Sequence, residues 1–325
     1  MKRALSALGV TACILGIAAA VTKSKFSAAL KIERERVRRG SRILSSPFGE
    51  IEFALAGDGE PLLISHGAGG GFDQALFGAG RLLAAGYQVV APSRFGYLRS
   101  SSPDDPSPEN QADAFAFLLD ELHVQNVPVV GISAGAPSAL QFAVRHPDRC
   151  RSLVVMVPAA SVAGDPQGPM PSQGPLQKAI IERVVKSDFL FWLGINLAPR
   201  SMVRSVLATD AAVVAAASAE ERRRAYEILW NVMPISEREE GLRHDAWMAS
   251  TPQSMRLDQI KAPTLVISLE DDFYRTIGAA RFIAAQIPGA RLLTYASGGH
   301  IWVGHDAELF VEVEEFLKQP TEKLA

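Results

Sequence analysis

The sequence predicts an α/β fold: a doubly wound, mostly parallel sheet carrying an inserted helical cap, with a hydrophobic helix at the amino terminus. Three observations carry this. Short, wholly apolar runs alternate with runs of helical period through the first half of the chain and again near its end, which is the rhythm of repeated strand-helix units. One apolar run, Val127 to Val130, passes into Gly131-Ile132-Ser133-Ala134-Gly135 and then an Ala/Leu-rich stretch, the strand, sharp turn and helix that a Gly-x-Ser-x-Gly elbow requires. From about residue 161 to about residue 255 the strand rhythm stops and the pattern becomes helical.

Composition narrows the function classes. The chain has 325 residues, 48% of them hydrophobic, and a formal charge of -2, enough to bury one large core and too nearly neutral to favour a nucleic-acid partner. Its two cysteines, Cys13 and Cys150, lie far apart, which argues against a disulfide framework or a thiolate zinc site. The six histidines are scattered, with no His-Glu-x-x-His pattern, so no metal site is expected.

At the amino terminus, Ala4 to Thr22 carries no charge and is flanked by Lys2, Arg3, Lys23 and Lys25. A helix of that length spans roughly 28 Å. It reads as a membrane anchor over residues 4–22, which would place the protein at a membrane. The alternative is a secretory signal with Ala18-Ala19-Ala20 as its cleavage site, which would make the protein secreted or periplasmic. The basic run from Lys23 to Arg42 then reads as a linker, either a solvated helix or a juxtamembrane segment touching anionic lipid.

The elements follow in order. Arg42 to Gly59 reads as two short strands joined at Pro47 to Gly49 and closed by a turn, an antiparallel start to the sheet. Pro61 to Ser65 is a short buried strand. Tyr87 to Ala91 is the next strand, and Glu109 to Leu122 a helix capped by Ser107 with Pro108 in its first turn. Val127 to Val130, Ala136 to Arg145 and Ser152 to Val157 continue the alternation. Gly164 to Pro175 is crowded with glycine and proline, and Ile180, Ile181, Val184, Val185 and Phe189 to Leu193 open the helical insertion. Strands return at Thr264 to Ser268 and Arg291 to Tyr295, and Ala307 to Lys318 is the closing helix.

Two glycine-bearing turns raise the question of chemistry. The Gly-x-Ser-x-Gly match is short and also fits a plain turn. The loop His66-Gly67-Ala68-Gly69-Gly70-Gly71 invites a dinucleotide-binding reading, but the register puts Phe72 where glycine or alanine is needed, and no acidic residue ends the following strand. Its exposed backbone N–H groups suit a developing oxyanion instead.

Five pieces in order complete a resemblance: His66-Gly67 after a strand, Gly131 to Gly135, Arg145-His146-Pro147-Asp148-Arg149 before a strand, Glu270-Asp271-Asp272 after a strand, and Gly298-Gly299-His300. Together they resemble the α/β-hydrolase fold family, over nearly everything from about Leu44 onward. The resemblance implies Ser133 as nucleophile, His300 as general base and Asp272 as the acid that steadies the imidazolium. Leu269 stands where the family's acid turn has glycine, which leaves Asp271 as the alternative acid. His300 is preferred to His305 because it follows the Gly-Gly turn. The implied oxyanion donors are the backbone N–H groups of Ala68 and Ala134, with Gly67 and Gly69 as neighbours of Ala68.

A serine nucleophile excludes the aspartate-nucleophile branches of that family. What the resemblance then implies is a serine hydrolase, acting on a small apolar carboxylic ester or a related thioester, lactone or amide, or on a carbon-carbon bond, without a cofactor. The other readings are a non-catalytic ligand-binding member of the fold, an acyltransferase, or a cofactor-independent peroxidase on the same triad.

Overall fold

The computed structural model describes residues 2–166 and 182–319, with side chains from Gly16 onward. Most of the Gly/Pro-rich segment, together with Ile180 and Ile181, lies outside the described residues.

Eight strands form one sheet in the order β1-β2-β4-β3-β5-β6-β7-β8. The chain enters through β1 (Ser41–Ser46) and β2 (Gly49–Ala56), which pair antiparallel, and β2 pairs antiparallel with β4 (Tyr87–Pro92). The remaining strands, β3 (Glu60–Ser65), β5 (Val127–Ile132), β6 (Cys150–Met156), β7 (Thr264–Leu269) and β8 (Arg291–Tyr295), run parallel to β4. Their apolar runs are continuous because both faces are covered. Leu63, Val129 and Val155 point into one buried cluster and Leu62, Ile64, Val130 and Val154 into the other, the period of two that a pleated strand imposes. Full burial of each such side chain contributes roughly 1.5–3 kcal/mol.

One face is covered by the helices Pro108–Glu121, Ala136–Arg145 and Thr276–Gln286, the other by Phe72–Gly78, Gly80–Ala84 and Asp306–Lys318. The helix at Pro108 begins as its sequence signals, with the Ser107 hydroxyl accepting from the Asn110 N–H and Pro108 in the first turn. Between β6 and β7 come the inserted helices, of which Asp188–Leu197, Ala219–Asn231 and Glu239–Ser250 are the longest described. They share their own apolar cluster, built on Phe191, Trp192, Leu229 and Met233, and it includes Ile301 and Val303 from the loop after β8. The insertion therefore caps the carboxyl edge of the sheet.

The first helix, α1, runs from Lys2 to Arg36, so the basic stretch up to Arg36 continues the same helix. Phe26 packs edge-on against Phe189 at 5.2 Å and against Trp192 at 5.7 Å, while Arg36 meets Asp73 at 2.5 Å and the Met233 carbonyl at 2.8 Å. Here the expectation of a membrane anchor over residues 4–22, with its membrane association and membrane-anchored location, is corrected. Among the described residues no helix is long and apolar enough to cross a membrane. Physically, the stretch is rich in alanine and glycine, and past Thr22 the helix takes on charge and docks its carboxyl half on the cap and the core.

Candidate active site

Ser133 sits where β5 turns into the helix Ala136–Arg145, and it holds a left-handed φ of 52°. That conformation is uncommon for a residue with a Cβ and persists only where neighbours enforce it. The flanking glycines provide the space. A Cβ on Gly131 would meet the Ala139 Cβ at 2.5 Å, and one on Gly135 would meet the Ser65 carbonyl oxygen at 2.2 Å. The turn can thus lie tight against β3 and the following helix only with glycine at both positions.

Because β7 and β8 are neighbours, with Leu269 opposite Tyr295, the loops that follow them lie side by side. They bring His300 to Ser133: the Ser133 hydroxyl donates to His300 Nε2 at 2.8 Å, and His300 Nδ1–H donates to Asp272 Oδ2 at 2.8 Å. All three are buried. Asp272 also accepts from the Tyr274 N–H at 2.8 Å and from the Thr276 hydroxyl, which is itself 3.0 Å from the Ser268 hydroxyl. Burial by itself would raise the Asp272 carboxyl, but the charge and hydrogen bond of His300, with the bonds from Thr276 and Tyr274, outweigh it and hold the group below the usual carboxylate value.

Asp271 does a different job. Its two oxygens accept the Gly298 N–H at 3.1 Å and the Gly299 N–H at 2.8 Å, gripping the turn that presents His300. Gly299 has a φ of +62°, and a Cβ there would strike Thr209 of the cap at 2.5 Å. His305 lies apart from Ser133, at the start of the last helix against Tyr295, and His146 caps the end of the helix Ala136–Arg145 beside Asp113.

The loop after β3 reaches the same place because β3 and β5 are adjacent, with Ser65 opposite Gly131. A Cβ added to Gly67 would lie 3.2 Å from the Ser133 Cβ. In this loop the N–H of Gly67 donates to Gln74 Oε1 at 3.0 Å, that of Gly69 to the Tyr97 hydroxyl at 3.2 Å, and that of Gly70 to the Gly67 carbonyl at 3.3 Å. Ala68 stands between them, exposed, with an N–H that has no partner among the described residues. Ala134 is the second residue of the 3₁₀ turn Ser133–Gly135, where the first N–H groups of a helix have no partner within it.

His66 fixes the root of the loop. The Arg94 N–H donates to its Nε2 at 2.9 Å, so the proton sits on Nδ1, which donates to the Gly67 carbonyl at 2.8 Å. Burial, reinforced by the Arg94 charge, pushes this imidazole well below the ordinary histidine value and keeps it neutral. Arg94 in turn donates from Nε to the His66 carbonyl at 2.8 Å and forms two 2.7 Å bonds to Asp245 of the cap. On the loop's far side, cap residue Arg238 donates to the Gly70 carbonyl and holds Asp73 at 2.8 Å. Burial opposes the Asp73 charge, yet Arg238 and Arg36 bring its carboxyl down to about 2.

The structure thus joins Ser133, His300 and Asp272 in one run of hydrogen bonds and sets Ala68 and Ala134 on loops beside the serine. Sequence reasoning missed Tyr97, Arg94, Asp245, Arg238 and Asp73. Their pairings span the cap and the core, and no local pattern announces them.

Comparison with known proteins agrees with this architecture. The family model described as "alpha/beta hydrolase fold" matches residues 60–303. An uncharacterized hydrolase, YcgS, of Bacillus subtilis (strain 168) is 36% identical over 107 residues, covering 33% of this chain and 37% of that protein. The 2-hydroxy-6-oxo-6-phenylhexa-2,4-dienoate hydrolase of Burkholderia cepacia is 28% identical over 254 residues, covering 75% of this chain and 82% of that enzyme. Among solved structures, an alpha/beta hydrolase fold protein from Nakamurella multipartita superposes with a TM-score of 0.68 at 27% identity, over 85% of this chain and 98% of that one. With its sheet order, its serine elbow and a family match over most of its length, the chain belongs to the α/β-hydrolase fold family.

Proposed function

We propose that the chain is a serine hydrolase that cleaves small, uncharged carboxylic esters, or the related lactones, thioesters or amides, through an acyl-enzyme. The run of hydrogen bonds from Ser133 through His300 to Asp272 carries this reading. A serine hydroxyl attacks at neutral pH only when a positioned base removes its proton. Ser133 Oγ bonds to the carbonyl carbon while its proton passes to His300 Nε2, and Asp272 steadies the imidazolium. The charge that develops on the carbonyl oxygen is met by the N–H groups of Ala68 and Ala134. His300 then protonates the leaving alcohol, and water repeats the sequence on the acyl-enzyme.

Ala134 also borders a small cavity of mixed lining, with Phe95 and Met248 beside Arg94, Gln111 and His244. Arg94 and Arg238, both buried by the oxyanion loop, are committed to Asp245 and Asp73. An uncharged substrate fits those pairings better than a carboxylate.

The Burkholderia relative supports a second reading, hydrolysis of a carbon-carbon bond beside a ketone by the same three side chains. A panel of para-nitrophenyl esters of graded acyl length, a lactone and a 6-oxo-dienoate separates the two. Turnover is expected on the esters, and a protein that cleaves the dienoate and none of the esters would replace the first reading with the second.

A further inference from the structure

The oxyanion loop is fastened to the cap by a buried polar network that the reaction above does not use. We propose that Asp245, on the cap helix Glu239–Ser250, is a positioning residue that sets the oxyanion loop through Tyr97 and Arg94, so that docking of the cap and assembly of the oxyanion site are one event. The inference rests on the serine-hydrolase reading.

Asp245 is 6% exposed and accepts three hydrogen bonds from the core. Arg94 gives it two bonds of 2.7 Å, and the Tyr97 hydroxyl donates to it at 2.5 Å. A carboxylate only accepts, so the single hydroxyl proton of Tyr97 is directed at Asp245, and the phenolic oxygen turns its lone pairs to the Gly69 N–H. Gly69 adjoins Ala68, whose N–H has no partner among the described residues. Arg94, held by the same carboxylate, fixes His66 on the other side of Ala68 through both its backbone and its side chain. Burial and the neighbouring Asp245 charge push the Tyr97 phenol well above its ordinary value, so it remains a donor.

The cap is shaped for this contact. The Gly241 N–H donates to the Gly96 carbonyl at 2.9 Å, and a Cβ on Gly241 would sit 2.2 Å from the Tyr97 ring. Gly241 and Asp245 are one helical turn apart and share a face. The bare backbone of the first lies over the ring, and the carboxylate of the second lies at its hydroxyl. A buried ion pair is weak evidence for stability, which points to geometry rather than folding energy as what this pair provides.

The decisive variant is Tyr97→Phe, which keeps the ring and its packing and removes only the hydroxyl. A trifluoromethyl ketone adds Ser133 Oγ to its carbonyl carbon, passing the serine proton to His300 and leaving negative charge on the ketone oxygen. The matching methyl ketone binds without that charge. Inhibition constants for both ligands, measured on the full chain, should show the trifluoromethyl ketone weakened about tenfold or more by Tyr97→Phe and the methyl ketone changed less than about twofold. kcat should fall in step with KM held, and Asp245→Asn should move in the same direction. Equal weakening of both ligands, or no change in either, overturns the inference. A parent protein that binds the trifluoromethyl ketone no more tightly than Ser133→Ala does would instead remove the serine-hydrolase reading, and the inference with it.

Discussion

His300 and Asp272 take their support from close at hand, whereas the loop at Ala68 takes its support from far along the chain. Asp272 is held by Tyr274 and Thr276, two and four residues on, and the turn before His300 is gripped by Asp271, the neighbour of Asp272. The loop at Ala68 is bonded through Tyr97 to Asp245, which lies 148 residues beyond Tyr97, and through Gly70 and Asp73 to Arg238, which lies 165 residues beyond Asp73. The His300 half, the base half of the proposed reaction, thus takes its nearest hydrogen bonds from the sheet edge, and the cap meets it through Thr209 against Gly299 and the Val206 carbonyl at the Tyr274 hydroxyl. The Ala68 half is bonded to the cap through buried charged side chains, Asp245 and Arg238.

Removing the point where the halves meet has the largest effect. Ser133→Ala is expected to lower kcat/KM on a para-nitrophenyl ester by about 10⁴-fold or more, read by steady-state kinetics. Breaking the base half alone, Asp272→Asn leaves the hydrogen-bond positions filled but removes the charge that steadies the imidazolium. A loss of about 10³- to 10⁴-fold in kcat is expected, and a loss under tenfold would mean that another acid, Asp271 first, carries the role. Asp271→Ala releases the Gly298 and Gly299 N–H groups, and because this carboxylate is partly exposed the expected cost is smaller, about tenfold in kcat with KM held.

The remaining effect falls on stability, at the joint of α1, cap and core. A carboxyl that is depressed in the folded chain contributes stability that is complete above its unfolded value and is lost as pH falls through its folded value. Asp73, lowered from 3.8 to about 2, therefore contributes about 2 kcal/mol at neutral pH, fading between roughly pH 4 and pH 2. Denaturant titrations should find Asp73→Asn less stable than the parent by about that amount at pH 7, and the gap should close as pH falls through this window. A gap unchanged down to pH 2 would show that the Arg36 and Arg238 pairs do not stabilise the fold through this charge.

The same contrast between near and far governs what the sequence reveals. Gly131, Ser133 and Gly135 are legible because the demand for glycine on either side of a strained serine is local, and the strands around them are legible because burial on both faces leaves continuous apolar runs. The choice between Asp271 and Asp272 depends on the register of one turn, which Leu269 in place of glycine obscures; in the structure Asp272 meets His300 and Asp271 meets the Gly-Gly turn. Tyr97, Asp245 and Arg238 leave no mark in the sequence, since each acquires its partner only when the cap closes over the sheet. The apolar run at Ala4 to Thr22 misled for a related reason. Its length matched a bilayer, but the helix continues into a charged half whose Phe26 and Arg36 are matched to Trp192 and Asp73.

The central claim is that Ser133 is the attacking group of a hydrolase. It is tested most directly by treating the full chain with a fluorophosphonate and locating the adduct by peptide mass spectrometry. One phosphonyl group on Ser133, absent from the His300→Ala protein on the same timescale, is the predicted result. An unmodified Ser133 in a protein that still cleaves esters, or labelling that proceeds as fast without His300, would contradict it.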